Sequence, residues 1–261
     1  MAGRGSRFAA AGYTFPKPLI EVGPAVAPKP MIQVVVENLG LRGRWWFFCQ
    51  QEHVKAYSLG TLLRLITHPL GAAEIVTTPE VTKGQADSVR LVLEAMAAKG
   101  DVKQPEPGSV VEWTDPVIVA NSDQFLDGWH PGSFMDFIRR EDPDGAVLTF
   151  HGSHPKWSFC EVEPEGNAVL RVAEKDPISQ RACVGVFYFK TVAMLHDRLR
   201  SMMSDPSKMV GGEWYLAPVY NEMIEAGLRV IEFPVPRMLG LGTPEDFQRF
   251  ERLVEAGKVR V

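Results

Sequence analysis

The chain has 261 residues, 45% of them hydrophobic and 23% charged, with a net charge of −4. Length and apolar content suit a globular protein that builds its core without staples. The acidic balance supplies no global basic field for nucleic acid, and no apolar run reaches the ~20 residues that span a bilayer. Cys49, Cys160 and Cys183 are far apart and show no C-x-x-C spacing. They read as reduced, partly buried thiols of a cytosolic protein, not a disulfide framework or a structural zinc site. Arg4 and Arg7 are followed by no apolar stretch, so no secretory signal is predicted.

The chain opens on "MAGRGSRFAAAGYTFPKPL". Gly3 and Gly5 let a backbone turn tightly and approach a ligand, and exposed N–H groups ahead of a helix attract anions. The third glycine of a dinucleotide fingerprint is missing, as is the G-K-[ST] ending of a P-loop, so the glycines alone say little. Arg7, two residues past Gly5, could grip a polyphosphate with two parallel bonds. Lys17 stands between Pro16 and Pro18, whose fixed φ stiffens the segment and aims its charge. "GPAVAP" at 23–28 reads as a loop.

Further along, apolar runs alternate with helix-like segments. Trp45–Phe48 and "AEIV" at 73–76 read as strands, Leu59–Ile66 and 86–100 as helices. "DPVIVANSD" at 115–123 is a strand running into polar residues. "SFMDFIRRE" is helical and "GAVLTF" a strand. Residues 158–175 form a hairpin turned at "PEGN", and 182–190 another strand. Helices are predicted over 192–204, 219–227 and 244–256, the last with Thr243 as N-cap and Pro244 at its first position. This alternation predicts an α/β fold with a mainly parallel sheet covered on both faces. Ligands of such sheets sit beyond the carboxyl ends of the strands, which points at Asn121, Ser122 and Asp123.

"AGRGSRF" followed by "PKPLIEV" resembles the opening signature of the sugar-1-phosphate nucleotidylyltransferases, or NDP-sugar pyrophosphorylases. "GQADSVRLVLEA", "VIVANSDQF", "VAEKDPIS", "VGVFYFK", "GEWYLAPVYNEMIEAG" and "GLGTPEDFQRFE" resemble that family's later segments in order, over nearly the whole chain. The resemblance implies one Rossmann-like, GT-A-like nucleotidyltransferase domain with a mixed, mainly parallel sheet. A nucleotide half would run to about residue 150 and an acceptor half from 151 to 261. The implied reaction joins an NTP to a phosphorylated acceptor, a sugar 1-phosphate, with Mg²⁺ and release of pyrophosphate. Two other readings stay open: transfer to another phosphorylated alcohol such as a phospho-amino alcohol, and a catalytically impaired nucleotide- or sugar-phosphate-binding protein. No nucleic-acid or membrane partner is implied, the location is cytoplasmic, and self-association is left open.

The resemblance also implies roles residue by residue. Arg7 and Lys17 would contact the triphosphate and stabilise departing pyrophosphate. Ala2, Gly3, Gly5 and Ser122 would line the nucleotide, and Gln85, whose amide both donates and accepts, would read the base. Asp123 would hold Mg²⁺, a hard cation that takes carboxylate and phosphate oxygens. Glu174 would accept from acceptor hydroxyls, and Lys175 would neutralise the acceptor phosphate. Lys156, with His154 and Trp157, Gly185 and Glu213 would shape that pocket. The acceptor phosphate itself attacks, which fits the lack of a Ser/His/Asp set. The pattern breaks at two places. Gly242 stands where a second metal-binding aspartate is expected, with Asp246 inside the helix beyond it. An apolar strand is also expected ahead of Gly3, where only Met1 and Ala2 stand. The expectation is a start further upstream, adding about five to eight apolar, β-branched residues.

Overall fold

The computed structural model describes residues 1, 3, 5–24, 26–98 and 114–261. Along the chain come α1 (Ser6–Ala10), a 3-10 turn at Lys17–Leu19, β1 (Glu21–Val22), β2 (Lys29–Pro30), α2 (Met31–Leu39), β3 (Trp45–Gln50) and α3 (Gln51–Tyr57). Next are α4 (Leu59–Thr67), β4 (Ala73–Thr78), α5 (Gln85–Ala98), β5 (Val117–Ala120), β6 (Gln124–Asp127), α6 (Pro131–Glu141), β7 (Gly145–His151) and β8 (Ser158–Val162). The last are β9 (Val169–Glu174), β10 (Arg181–Phe189), α7 (Val192–Met203), α8 (Val219–Glu225), β11 (Val230–Pro234), β12 (Arg237–Gly240) and α9 (Pro244–Glu255). They fall into two compact units. One is Met1–Val81 with Asn121–Pro131 and Val235–Val261; the other is Thr82–Ala120 with Gly132–Pro234.

In the first unit β3 and β4 pair in parallel, from Trp45 opposite Ala73 to Gln50 opposite Thr78. Ile32 and Val36 of α2 and Leu59 and Leu63 of α4 share a buried cluster with Phe47 and Cys49. The sequence carries no start signal for α2. Pro30 precedes it, no side chain caps it, and no acid lies in its first turn. Its six buried apolar residues hold it, as tertiary packing does for most short helices. β6 and β12 form an antiparallel ladder, Gln124 opposite Gly240 and Asp127 opposite Arg237. β1 and β2 pair antiparallel, Glu21 opposite Pro30 and Val22 opposite Lys29; of the loop expected at 23–28, residue 25 lies outside the described residues. α9 begins as its sequence predicts, the Thr243 hydroxyl accepting from the Asp246 amide.

The second unit is built on a six-stranded sheet in the order β11–β7–β10–β8–β9, with β5 also on β10. The C-terminal half of β10 lies between β7 and β5, with Phe187 opposite both Val147 and Val119. Its N-terminal half meets β8 at Ala182 and Phe159. The register against β7 shifts between Cys183 and Phe187, and Gly185 takes the left-handed backbone, φ +82°, that this bulge requires. Alternation along β10 turns Phe187 and Phe189 toward Tyr220 of α8 and turns Tyr188 toward Phe134 of α6, so helices cover both faces. The buried Tyr220 hydroxyl donates to the carbonyls of Ala146 and Tyr188, at 2.7 and 3.1 Å.

The α/β reading stands, with a correction to strand direction. Among the described strands, β3–β4 and β7–β11 are parallel; β10 runs antiparallel to β5, β7 and β8, as does β8 to β9 and β6 to β12. The sheet is mixed and not mainly parallel. A continuous apolar run reports that both faces of a strand are covered; it does not report which way the strand points.

Candidate functional site

Asp123 leads into β6, and Lys17 donates from Nζ to its Oδ2 at 2.6 Å. Both side chains keep some solvent access, 22% for Lys17 and 29% for Asp123. The lysine is aimed by its 3-10 turn, which Pro16 enters at φ −53° and in which Pro18 is buried. Burial opposes ionisation of Asp123, but the Lys17 ammonium, the amino group of Met1 and Arg7 together outweigh it, and the carboxyl is held below its ordinary range. Gly5 precedes α1 and backs onto Lys17: a Cβ there would lie 3.6 Å from the lysine Cβ. Arg7 is exposed on α1, Gly3 is exposed, and Ser122 is half-buried. Ala2 lies outside the described residues.

Gly242 adjoins the same carboxylate, since a Cβ on it would lie 3.0 Å from Asp123 Oδ2. Asp123 is thus the carboxylate here that could hold a divalent cation. Among the described residues no three His, Cys, Asp or Glu gather as a metal site. One carboxylate is still enough for Mg²⁺ when phosphate oxygens and water supply the remaining ligands.

The other sequence-predicted residues lie in the second unit. Glu174 ends β9, accepts a hydrogen bond from the Ser158 hydroxyl, and has its pKa raised by burial. Lys175 follows with a left-handed backbone, φ +56°, and its amide donates to the Trp157 carbonyl at 3.0 Å. Its Nζ donates to the Tyr215 hydroxyl and lies 4.5 Å from that ring's centroid; the hydroxyl in turn donates to Glu213. Lys156 is exposed and lies over the Trp157 ring at 4.6 Å, and the His154 Nδ1 accepts from its amide. Gly185 is buried within β10, where it serves the bulge. Gln85 opens α5 and is half-buried. Lys17, Asp123, Gly5 and Arg7 are therefore grouped in one unit, and Gln85, Lys156, Glu174, Lys175, Gly185 and Glu213 in the other.

Sequence reasoning missed the residues that hold these groups. The Asn38 amide donates to the Leu126 carbonyl at 3.0 Å and accepts from its N–H at 2.7 Å, fixing β6 three residues from Asp123. Asn221 of α8 does the same for Val172 of β9, at 2.8 and 2.9 Å, two residues from Glu174. Each asparagine gives a strand with one ladder partner a substitute for the missing one. Trp214 donates to the Lys83 carbonyl at 2.7 Å and accepts from the Ala86 amide at 3.0 Å, which ties the turn before Gln85 to the segment holding Glu213 and Tyr215. A local signal existed for this last contact: a glycine, Gly84, just before a helix. For the asparagines there was none, because their partners lie 88 and 49 residues away.

No family model and no curated protein matches the chain. Solved structures do. The nucleoside-diphosphate-sugar pyrophosphorylase of Vibrio cholerae is 27% identical, with a TM-score of 0.81 over 97% of this chain and 98% of that one. A Bacillus anthracis protein described as a candidate glucose-1-phosphate thymidylyltransferase, solved with sucrose, is 15% identical, with a TM-score of 0.72 over 99% and 94%. The inositol-1-phosphate CTP transferase of T. maritima is 16% identical, with a TM-score of 0.67 over the same shares. The structural neighbours are sugar-phosphate nucleotidylyltransferases, and the chain has their fold. No helix among the described residues is long and apolar enough to cross a membrane.

Proposed function

We propose that the chain is a nucleotidyltransferase that joins an NTP to a sugar 1-phosphate, giving an NDP-sugar and pyrophosphate. The full-length likeness to the Vibrio cholerae NDP-sugar pyrophosphorylase carries this reading. In the reaction an acceptor phosphate oxygen bonds to the α-phosphorus of the NTP. The bond from that phosphorus to the β-phosphate oxygen breaks, and pyrophosphate leaves. No side-chain nucleophile is needed; alignment and charge stabilisation are.

Each group has a part in this. Lys17 and Arg7 bring positive charge to the triphosphate and the leaving pyrophosphate. Gly3, Gly5 and Ser122 line the nucleotide, and Gln85 reads the base edge. Glu174 and Glu213 accept from acceptor hydroxyls, and Lys175 and Lys156 bring charge to the acceptor phosphate. Asp123 fits Mg²⁺ through its single carboxylate. The ion, when bound, spreads the charge that develops on the phosphates. Lys17 must then share Asp123 or turn toward the phosphates. Three buried free thiols, Cys49, Cys160 and Cys183, accord with a reducing, cytoplasmic location.

A pyrophosphate-release screen tests the reading: four NTPs, each against a panel of sugar 1-phosphates, inositol 1-phosphate and phosphocholine, with and without Mg²⁺. Release with a sugar 1-phosphate in Mg²⁺ is expected. Release only with inositol 1-phosphate or phosphocholine would transfer the reading to another phosphorylated alcohol. Nucleotide binding with no release from any pair would overturn it in favour of a binding protein.

A further inference from the structure

Lysines can be held near a binding site in two ways. In one, a carboxylate pairs directly with the ammonium, as Asp123 does with Lys17 at 2.6 Å. That arrangement orders the lysine and also answers its charge. The other arrangement is seen at Lys175. Its Nζ meets the Tyr215 hydroxyl, and the hydroxyl, not the ammonium, makes the hydrogen bond to Glu213. The same Nζ is 4.5 Å from that ring's centroid, on the hydroxyl side of the ring. A phenol thus stands between cation and anion. The ammonium is ordered by one hydrogen bond at the hydroxyl edge of the ring, and its remaining donors are left for an incoming anion.

From this geometry we infer that Tyr215 is the positioning residue of the acceptor end, holding Lys175 ready for the acceptor phosphate while keeping Glu213 from pairing with it directly. The inference rests on the proposed assignment of Lys175 to that phosphate. Three further observations support it. Lys175 is exposed, and a free four-carbon stem would otherwise sample many rotamers before meeting a ligand. Its backbone is left-handed, φ +56°, and its amide is tied to Trp157, so the stem leaves a fixed point. Tyr215 is itself fixed from behind. Trp214 is buried and bonded through its backbone to Lys83 and Ala86, and Glu213 exchanges backbone hydrogen bonds with Val210 at 3.1 Å. The tyrosine therefore presents a fixed hydroxyl to a flexible cation. Pre-ordering of this kind shows as affinity for the ligand that the cation meets, and not for other ligands.

The test uses Tyr215→Phe, which keeps the ring and removes the hydroxyl, and Tyr215→Leu, which removes both. Lys175→Ala is the reference. Calorimetric titrations with inorganic phosphate and with glucose, mannose and N-acetylglucosamine 1-phosphates, and separately with each NTP, read the two substrates apart. Where a sugar 1-phosphate is turned over, its KM and kcat are measured as well. Tyr215→Phe should weaken binding of the sugar 1-phosphates about threefold and Tyr215→Leu about tenfold, the loss expected when one rotamer-rich side chain is no longer pre-ordered. NTP affinity and kcat should stay within about twofold, because uniform ground-state binding is what is lost. Thermal melts of all variants should match the parent. Tyr215 variants that bind sugar 1-phosphates like the parent, beside a weakened Lys175→Ala, would overturn the role of Tyr215 and leave the assignment of Lys175 intact. A Lys175→Ala that also binds like the parent would overturn that assignment. Equal losses for NTP and sugar 1-phosphate, or a lowered melting temperature, would mark Tyr215 as merely structural and overturn the inference.

Discussion

Lys17 Nζ lies 2.6 Å from Asp123 Oδ2, and the two residues are 106 positions apart in the chain. A stiff proline-flanked turn and a clamped strand have been brought together to place one cation on one carboxylate. The pair is partly solvated, so its direct contribution to stability is small. Its charges matter more to what binds. Asp123→Asn keeps an acceptor for Lys17 and removes the charge. The variant should melt within a few degrees of the parent, while Mg²⁺-dependent pyrophosphate release falls by about 10²-fold or more, as when one charge-stabilising group is removed. Unchanged turnover in Mg²⁺ would remove Asp123 from the site.

Gly242 offers a gain-of-ligand test. Its Cβ direction meets Asp123 Oδ2 at 3.0 Å, so an aspartate there would set a second carboxylate beside the first. Without metal the two like charges repel, and the melting temperature of Gly242→Asp should drop by a few degrees. With Mg²⁺ the second ligand should lower the half-saturating concentration several-fold. Gly242→Ala separates crowding from charge: it should share the steric cost and show no change in Mg²⁺ dependence. A Gly242→Asp variant whose melting temperature ignores Mg²⁺ would mean that position 242 does not reach the metal.

The Asn221 clamp on Val172 should matter to stability and to one substrate. Asn221→Ala leaves a buried N–H and C=O of β9 unpaired. The cost should be about 2–3 kcal/mol in chemical denaturation. Because Glu174 lies two residues on, affinity for the sugar 1-phosphate should suffer while NTP affinity holds. A denaturation midpoint equal to the parent's would show that water satisfies these groups.

What local pattern can carry explains which features were legible. Capping at Thr243, the hairpin at "PEGN" and the polar end of the 115–123 run depend on near neighbours, and all are seen. The lysine between two prolines was visible as stiffness, though not the aspartate it meets. Strand direction in β10 was invisible, since burial on both faces writes the same apolar run either way. The two asparagine clamps and the tyrosine between Lys175 and Glu213 depend on residues brought from far along the chain, which no periodicity records. Gly84 belongs between these cases, a glycine whose position was readable and whose reason was not.

That reason makes a prediction. Gly84 has φ +113°, and a Cβ there would lie 2.7 Å from the Trp214 amide nitrogen and nearer still to its carbonyl oxygen. Both neighbours are backbone and cannot swing aside. Gly84→Ala should destabilise the chain by about 2–4 kcal/mol, combining left-handed strain with a steric clash. Loosening the turn should weaken base discrimination through Gln85. A denaturation midpoint and an NTP preference equal to the parent's would show that the backbone bonds to Trp214 can be given up freely.

Glu174 gives a prediction with a pH window. Burial raises its pKa above the ordinary 4.5, against the opposing hydrogen bond from Ser158 and the charge of Lys175, and with a small push from Glu213. The folded chain therefore holds this proton to a higher pH than the unfolded chain does. Between the ordinary value and the raised one, the folded state binds more protons, so stability falls as pH rises through that window and the penalty stays constant above it. Asp123 has the opposite sign, since its lowered pKa adds stability that is lost only as pH falls. Glu174→Gln is neutral at every pH, and its side-chain oxygen can still accept from Ser158. The variant should match the parent's melting temperature at about pH 4, exceed it by a few degrees near neutral pH, and bind the sugar 1-phosphate more weakly because a charged acceptor of hydroxyl bonds is gone. Melts of parent and variant across the range decide the matter. A difference that is the same at every pH would show that Glu174 ionises alike in the folded and unfolded chain, so that this half-buried carboxylate costs no stability.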